Sequence, residues 1–161
     1  YEAVPVLGNS LRYRRVDATL TSALELGEQS IETTLGAASS FGSRLPPYAA
    51  ITLGGPFQLS GYATEQFAGQ QSLFARVRLM HRFLQLPGPL GQGLYGGLSL
   101  EAGRIGRSYT LVGAREGTAP SDTLWSGAAF IGADTFLGPA WLGLGMAGTG
   151  HMSLFLSLGV P

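Results

Sequence analysis

Charged residues on one predicted strand could form ion pairs with the strand beside it. In residues 71–84 apolar and polar residues alternate, and the polar side carries three arginines: Arg76, Arg78 and Arg82. The next alternating segment, residues 93–103, carries Glu101 on its polar side. Opposite charges attract when they face each other across two adjacent strands. We therefore predict that Glu101 pairs with Arg76 or with Arg78.

Catalytic chemistry is not indicated by the sequence. The nucleophile elbow of serine hydrolases, Gly-x-Ser-x-Gly, is absent. A lipase that uses Ser153 and His151 is the least favoured interpretation, because no carboxylate is evidently paired with the histidine. The chain has no cysteine, which excludes thiolate metal sites and disulfides. We predict no enzymatic activity, no cofactor and no metal site.

An irregular segment, ITLGGPFQLSGY at residues 51–62, interrupts the alternation. Its two adjacent glycines favour a tight turn, and the proline that follows them excludes a regular strand or helix. The segment belongs to a long connection, residues 42–70, and connections of this length often carry a function. The candidate loop motif comprises Gly54, Gly55, Leu59, Ser60, Gly61 and Tyr62.

The composition points towards a membrane rather than towards water or nucleic acid. Only 12% of the residues are charged, against roughly 25% in an average soluble domain. The net charge is zero and no basic stripe is present, so we expect no nucleic-acid partner. No segment approaches the ~18 continuous apolar residues of a membrane helix, which leaves a β-barrel as the membrane structure. Candidate anchors at the membrane surface are Trp125, Trp141 and Tyr95.

Alternating hydrophobicity divides the chain into predicted strands. They are residues 11–26, 29–41, 71–84, 93–103, 123–135, 140–147 and 151–160, with one more short strand near the N-terminus. Short turns alternate with the longer connections, which is typical of outer-membrane barrels. We therefore expect an all-β fold, an antiparallel transmembrane β-barrel of about eight strands per chain. A single barrel domain would comprise residues 1–161.

The polar sides of the predicted strands favour a membrane barrel over a soluble one. They carry charges of both signs, as a water-filled interior would: Arg15, Asp17, Glu25, Glu32, Arg76, Arg78, Arg82, Glu101 and Asp134. A soluble sandwich or a lipocalin-like barrel, which buries its apolar side, remains the alternative. The candidate interior wall comprises Arg76, Arg78, Arg82, Ser99, Glu101, Gly103 and Asp134.

Four segments form a set with a characteristic order and spacing. They are ITLGGPFQLSGY, LYGGLSLEAGR, FIGADTFLGPAWLGLG and SLFLSLG. Together they resemble the C-terminal half of the barrel in the BamA/TamA/FhaC superfamily, most closely that of patatin-like phospholipase autotransporters (type Vd secretion). The resemblance covers residues 11–160. It implies that the loop before residues 71–84 folds back into the barrel and docks on its inner wall.

The tip of that loop departs from the family pattern. The superfamily has an Arg-Gly-aromatic tip, and the matching residues in this chain are Ser60, Gly61 and Tyr62. Because a serine replaces the arginine, we expect no charge-assisted bond from Ser60 to a carboxylate of the wall. Gly61 and Tyr62 keep the family pattern, so we expect the loop to dock through its backbone and Tyr62.

The wall motif also resembles the family pattern, with changes. Where the wider family has Phe-x-Asp-x-Gly, this chain has Ser99, Glu101 and Gly103 at the same spacing. The resemblance implies that the carboxylate of Glu101 faces the docked loop. We expect the predicted pair of Glu101 with Arg76 or Arg78 to support that loop.

The number of strands poses a problem of closure. Members of the superfamily close their barrels with sixteen strands, whereas this chain supplies at most eight. An eight-stranded barrel has an interior filled by its own side chains, which leaves little room for an inward loop. Two copies that pair edge to edge would form a 16-stranded (8+8) barrel. The alternatives are a self-closed barrel and a fragment of a longer chain.

Two functions follow from these expectations. The first is an outer-membrane barrel for protein translocation or insertion, with an inward-folded loop at residues 51–70. The second is a structural or pore-forming barrel that has no client. The expected location is the bacterial outer membrane. The expected partners are membrane lipid, a second copy of the chain and, for the first function, a client polypeptide.

Overall fold

The computed structural model is all-β and antiparallel. It describes residues 2–6, 9–85, 93–106, 123–135 and 138–159. The strands in these ranges are β1 (Glu2–Val6), β2 (Asn9–Tyr13), β3 (Val16–Leu26), β4 (Gln29–Ser39), β5 (Ile51–Leu53), β6 (Phe67–Gly69), β7 (Gln71–Gln85), β8 (Gly93–Gly106), β9 (Leu124–Thr135), β10 (Gly138–Ala147) and β11 (Met152–Leu158). A short 3-10 helix covers Pro47–Ala49. In the part of the chain described, no helix is long and apolar enough to cross a membrane.

Seven strands form the main sheet in the order β3-β4-β7-β8-β9-β10-β11. Each neighbouring pair is antiparallel, and most neighbours are also consecutive in the chain. The long connection between β4 and β7 contains a separate small sheet, formed by β5 and β6. The predicted all-β antiparallel fold is therefore confirmed.

The predicted single strand over residues 11–26 is wrong. The chain leaves the β conformation at Arg14 and Arg15, and β2 pairs with β1 in a separate ribbon. The Arg14 amide donates to the Ser43 hydroxyl at 2.8 Å, and Tyr13 packs among residues of the long connection. These contacts turn the backbone, and alternation of hydrophobicity carries no signal of them.

The strand number of the main sheet is also corrected, from eight to seven. Within the described residues, β3 pairs in the sheet with β4 alone and β11 with β10 alone. The main sheet is therefore open, with β3 and β11 at its two edges. The predicted strands of residues 29–41 and onwards match β4 and β7 to β11, with ends that differ by up to a few residues.

The sheet has two faces of opposite character. The face that we call the outer face consists mostly of apolar side chains, and among the described residues these are largely exposed. Its exposed members include Leu20, Leu24, Leu35, Leu73, Val77, Leu79, Leu98, Leu100, Trp125, Ile131, Leu142, Leu144, Met146, Leu154 and Leu156. The opposite side, the inner face, presents the polar wall residues, most of which are buried on β7 and β8.

The long connection, residues 40–70, covers the inner face and buries it. Phe57 at its tip is 1% exposed and contacts side chains that start on β7, β9, β10 and β11. The Phe155 ring on β11 and the Arg78 guanidinium on β7 both lie within 5.2 Å of the Phe57 ring centroid. In a flat sheet these two strands would be about 19 Å apart. The sheet therefore curves around the loop tip.

Candidate functional site: a loop docked on the inner face

The loop reaches the inner face as a hairpin with a tight tip. β5 and β6 pair from Ile51 with Gly69 to Leu53 with Phe67, which closes the base of the hairpin. At the start of the tip, Gly54 and Gly55 have φ angles of 125° and 104°. A Cβ at Gly54 would also overlap the Ala63 carbonyl oxygen. Only glycine fits this backbone, so the predicted turn has a physical basis.

Ser60 attaches the tip to the wall through Glu101. The Ser60 amide donates to Glu101 Oε2 at 2.5 Å, and the Ser60 hydroxyl donates to Oε1 at 2.7 Å. Ser99 donates its hydroxyl to Oε1 at 2.8 Å. Ser60 and Glu101 are each only 1% exposed, so these bonds lie in a low-dielectric environment. The expectation that Ser60 could form no charge-assisted bond with the wall is wrong.

Gly61 brings the loop backbone against strand β10. Its amide donates to the Ser126 hydroxyl on β9 at 2.7 Å. A Cβ at Gly61 would overlap the backbone of Met146 and Ala147, and a Cβ at Gly145 would overlap the carbonyl of Ser60. The loop and the sheet therefore meet backbone to backbone, with a glycine required on each side.

An apolar cluster surrounds the aromatic residue of the tip. Tyr62 is 7% exposed and meets the Phe67 ring edge to face, with ring centroids 5.1 Å apart. Leu59, which is fully buried, packs in the same cluster. Its methyl groups lie above Gly103, where a Cβ would be 3.2 Å from the nearest of them. The wall motif thus supplies an acceptor at Glu101 and space at Gly103.

Glu32 forms the salt bridges with Arg76 and Arg78, two of the three arginines of β7. Arg76 and Arg78 each donate an Nη2 hydrogen to the Glu32 carboxylate, at 2.7 and 2.8 Å. Arg76 also donates through Nη1 to the Phe57 carbonyl oxygen at 2.8 Å, which joins β4, β7 and the loop. Glu101 lies opposite Arg76 in the register and attracts its charge, as predicted, but the salt bridges found among the described residues join Arg76 and Arg78 to Glu32 instead. Although Arg76 faces Glu101 in the register, Ser60 and Ser99 occupy the Glu101 oxygens.

Aromatic rings enclose Phe57 on the inner face. The Phe130, Trp141 and Phe155 rings meet the Phe57 ring edge to face, with centroids 5.1, 6.0 and 5.1 Å away. The Arg78 guanidinium lies 5.2 Å from the Phe57 centroid and 5.5 Å from that of Trp141, in cation–π geometry. Trp141 is 8% exposed, so its predicted position as a surface anchor is wrong.

The other two predicted anchors occupy different environments. Trp125 is 63% exposed on the outer face, near the start of β9. Tyr95 packs against the aromatic cluster, with its ring centroid 6.4 Å from that of Trp141. Of the three candidates, Trp125 alone projects from the outer face.

Two predicted wall residues lie outside the network that attaches the loop. Arg82 and Asp134 are half-buried on the inner face, towards the other end of the sheet. The side-chain hydrogen bonds between the wall and the loop tip involve Arg76, Glu101 and Ser126. The structure therefore brings the loop motif together with Ser99, Glu101, Gly103 and the two arginines, and leaves Arg82 and Asp134 apart.

The sequence does not predict the contacts that three residues make in the site. Phe57, with a positive φ of 57°, accepts a hydrogen bond from Arg76. Glu32 also accepts from Arg76, and Ser126, in a strand of small residues, accepts from Gly61. One signal for Phe57 was present in the sequence. Glycines on β9 and β10, such as Gly132 and Gly143, leave room beside the large rings, and a Cβ at either would overlap a ring.

Clusters of metal-binding side chains were sought among the described residues. No group of three or more His, Cys, Asp or Glu residues there could hold a metal ion. His151 Nδ1 is 3.1 Å from the hydroxyl of Thr149 rather than from Ser153. The arrangement of the inner face serves to hold a loop.

A groove separates the docked loop from the first two strands of the sheet. It has a volume of about 590 Å³. Its lining combines apolar side chains with hydroxyl and charged groups. Ile51, Pro56, Phe57 and Phe74 are among the apolar ones, and Asp17, Thr21, Thr34 and Glu65 among the polar ones. We call this space the β3 groove. The loop therefore covers the β7 to β11 side of the inner face and leaves the β3 side open.

Comparison of the chain with protein-family models, with curated proteins and with solved structures found no match.

Proposed function

We propose that this chain is the membrane-spanning part of an outer-membrane β-barrel of the insertase and translocator type. The observation that carries the proposal is the reversal of the two faces of the sheet. Leucines such as Leu100 and Leu154, 72% and 74% exposed, project from the outer face, while Glu101 is 1% exposed on the inner face. A soluble protein would bury those leucines, and each would gain about 1.5–3 kcal/mol by leaving water.

Strand length and composition support lipid as the partner of the outer face. Strands β7 and β8 have 15 and 14 residues, and β3 and β4 have 11 each. About 9–11 residues suffice for a tilted strand to cross the hydrocarbon core. The outer face consists mainly of Leu, Val, Ile and Ala, with a few polar side chains such as Ser22 and Thr33, and a predominantly apolar surface suits lipid.

The open edges require a partner strand in this environment. Backbone N–H and C=O groups that face hydrocarbon without a hydrogen bond cost several kcal/mol each, so a membrane sheet must close. We propose that β3 and β11 pair with the corresponding edges of a second copy, so that two chains form one barrel around a common interior. Each copy contributes the seven strands of its main sheet, so the shared barrel would have 14 strands rather than the sixteen expected from the sequence.

The docked loop supports translocation or insertion of a client polypeptide. Its polar bonds to the wall are concentrated at the tip, through Ser60, Gly61 and the Phe57 carbonyl, beside the aromatic contacts of the Phe57 ring. Such a loop fills part of the interior. If it leaves the wall, water can take over the hydrogen bonds of these polar groups, so the loop could move aside for a client polypeptide. The sequence resemblance to the BamA/TamA/FhaC superfamily favours the same function.

The membrane barrel and its dimeric closure are tested with the purified full chain in lipid vesicles. We expect migration on an unheated gel to differ from that of the heated protein. Mixing copies with one cysteine on β3 and copies with one on β11 should give a disulfide-linked dimer at some register. A folded protein that stays out of vesicles would overturn the membrane function. If the protein inserts into vesicles but no combination of cysteines gives a disulfide-linked dimer, the shared barrel would be overturned.

A barrel that forms a pore without a client is the second candidate. The observation that favours it is the β3 groove, which remains open while the loop is docked. A stable conductance in planar bilayers, together with no binding of unfolded outer-membrane polypeptides, would favour this pore over the translocator.

A further inference from the structure

Two opposite charges of the wall face each other beneath the docked loop tip. Arg76 on β7 lies directly opposite Glu101 on β8 in the register, and both side chains are buried on the inner face. Residues opposed in this way have Cβ atoms about 4.5–5.5 Å apart, which is close enough for an arginine and a glutamate to form an ion pair. In the docked state, however, the salt bridge of Arg76 joins it to Glu32 on β4.

The loop tip supplies each of these two charges with a partner. The Phe57 carbonyl oxygen accepts a hydrogen bond from Arg76 Nη1 at 2.8 Å. Ser60 donates its amide and its hydroxyl hydrogens to the Glu101 carboxylate. The Phe57 amide donates to the Ser60 hydroxyl oxygen at 2.9 Å, so these groups belong to one turn. A single uncharged turn thus offers an acceptor to the cation and donors to the anion.

Departure of the tip would deprive both charges of hydrogen bonds. Of its three bonds among the described residues, Glu101 would keep the one from the Ser99 hydroxyl. Arg76 would keep its bonds to Glu32 and Thr34 but lose the one to the loop. A poorly solvated charge that has lost its partners is costly, and Glu101 already attracts the Arg76 charge in the docked state. A direct ion pair between the two would satisfy both.

We propose that Arg76 is a positioning residue with two alternative partners, the Phe57 carbonyl while the loop is docked and Glu101 once the tip has left the wall. The exchange lowers the free-energy cost of releasing the loop, because the wall replaces lost hydrogen bonds with an ion pair of its own. The ion pair predicted from the sequence thus belongs to the released state. The use of this exchange in admitting a client rests on the proposed function, whereas the exchange itself concerns the wall of one chain.

A chain that lacks the tip isolates the released wall. Residues 54–66 are replaced by Asn-Gly, a two-residue hairpin turn that joins Leu53 to Phe67, which already pair across the base of the loop. If this shortened chain does not fold, Gly61→Ala provides the background instead, since its Cβ would overlap the β10 backbone and displace the tip.

A double-mutant cycle in that background measures the ion pair. Arg76→Met, Glu101→Gln and the two together are compared by urea unfolding in detergent micelles. The control cycle combines Glu101→Gln with Arg82→Met, because Arg82 lies six residues further along β7, on the same face. Both cycles remove one positive and one negative charge, so they differ only in the distance between the two.

We expect the unfolding equilibrium constant of the Arg76 and Glu101 double variant to depart about tenfold from the product of the single effects, as is typical of contacting residues. The control cycle should multiply to within about twofold, as is typical of distant ones. Independent effects of Arg76→Met and Glu101→Gln would overturn the exchange, and so would an equal coupling in the control. Because the cycles are measured in micelles, a failure to enter vesicles would contradict the proposed function alone.

Discussion

Ser60 gives both its amide hydrogen and its hydroxyl hydrogen to the carboxylate of Glu101, with donor–acceptor distances of 2.5 and 2.7 Å. One buried carboxylate thus binds the loop tip twice, and its position on β8 fixes where the tip lies. Hydrogen bonds to a charged acceptor contribute more than neutral ones, typically about 1.5–3 kcal/mol. A serine can therefore attach the tip without the positive charge that an arginine would bring.

Removing the charge of Glu101 should loosen the loop without unfolding the sheet. In Glu101→Gln one oxygen is replaced by an NH2 group, which faces a donor from Ser60 or from Ser99. We expect a loss of about 1–3 kcal/mol in the free energy of unfolding. Hydrogen exchange of the peptide covering residues 51–69 should become faster. Glu25→Gln, at an exposed site on β3, is the control, and equal exchange in both variants would contradict the role of Glu101.

Removing the charge of Glu32 should be more damaging, because it leaves two arginines without their counter-charge. Breaking a fully buried ion pair costs about 3–5 kcal/mol, and Glu32 is 17% exposed, so we expect about 2–3 kcal/mol for Glu32→Gln. Urea unfolding in detergent micelles measures the change. Substituting Arg76 and Arg78 with Met in the same chain should recover part of the loss. No recovery would argue against the ion pairs as the cause.

Adding a methyl group at Gly61 should displace the loop. In Gly61→Ala the new Cβ would overlap the backbone of Met146 and Ala147, which cannot move aside as a side chain can. We expect residues 51–69 to lose their protection from hydrogen exchange while the strands keep theirs. Gly36→Ala is the matched control, since its Cβ would meet the Phe74 side chain at an ordinary 3.6 Å. Protection of the loop in Gly61→Ala would contradict the close approach.

Truncating Phe57 should empty the aromatic pocket. Phe57→Ala removes three edge-to-face contacts and leaves a cavity, for which we expect about 3–5 kcal/mol. The fluorescence of Trp141, measured in a Trp125→Phe background, should shift to longer wavelength as water enters. Phe41→Ala removes a phenylalanine that is 68% exposed and serves as the control. Equal costs for the two variants would argue against the pocket.

A charge on the outer face should impair membrane insertion, whereas a charge in the groove should not. Leu98→Arg lies near the middle of β8, and an arginine at the bilayer midplane of a barrel costs about 2–4 kcal/mol. Thr21→Arg, on the inner face of β3, is the comparison. The yield of folded protein in vesicles should fall for Leu98→Arg alone. Equal yields would indicate that lipid does not cover the outer face.

Local alternation was enough to predict most of the main sheet. Six of its seven strands follow a period of two over ten or so residues, and each side-chain face agrees with the pattern in the sequence. The break between β2 and β3 could not be predicted in this way. Arg14 and Arg15 continue a plausible alternation, and their departure depends on a contact with Ser43, 29 residues further along the chain.

The partners within the site depended on information that periodicity does not contain. The sequence predicts that Glu101 and the arginines of β7 share one face. It does not show which carboxylate, Glu32 on β4 or Glu101 on β8, forms the salt bridges with those arginines. In the register of the sheet, Arg78 lies opposite Glu32 of β4, and Arg76 lies opposite Glu101 of β8. Ser60 donates to the Glu101 oxygens once the loop has folded back, and Glu32 forms the salt bridges with Arg76 and Arg78.

The two tryptophans provide the most direct test of the central claim, that lipid covers the outer face and the loop covers the inner face. Trp125 projects from the outer face and Trp141 lies under Phe57. Variants that keep one tryptophan each, Trp141→Phe and Trp125→Phe, are folded into vesicles of lipids brominated in the upper part of the acyl chain. We predict strong quenching of Trp125 and little quenching of Trp141. Equal quenching of both, or none of either, would contradict the account.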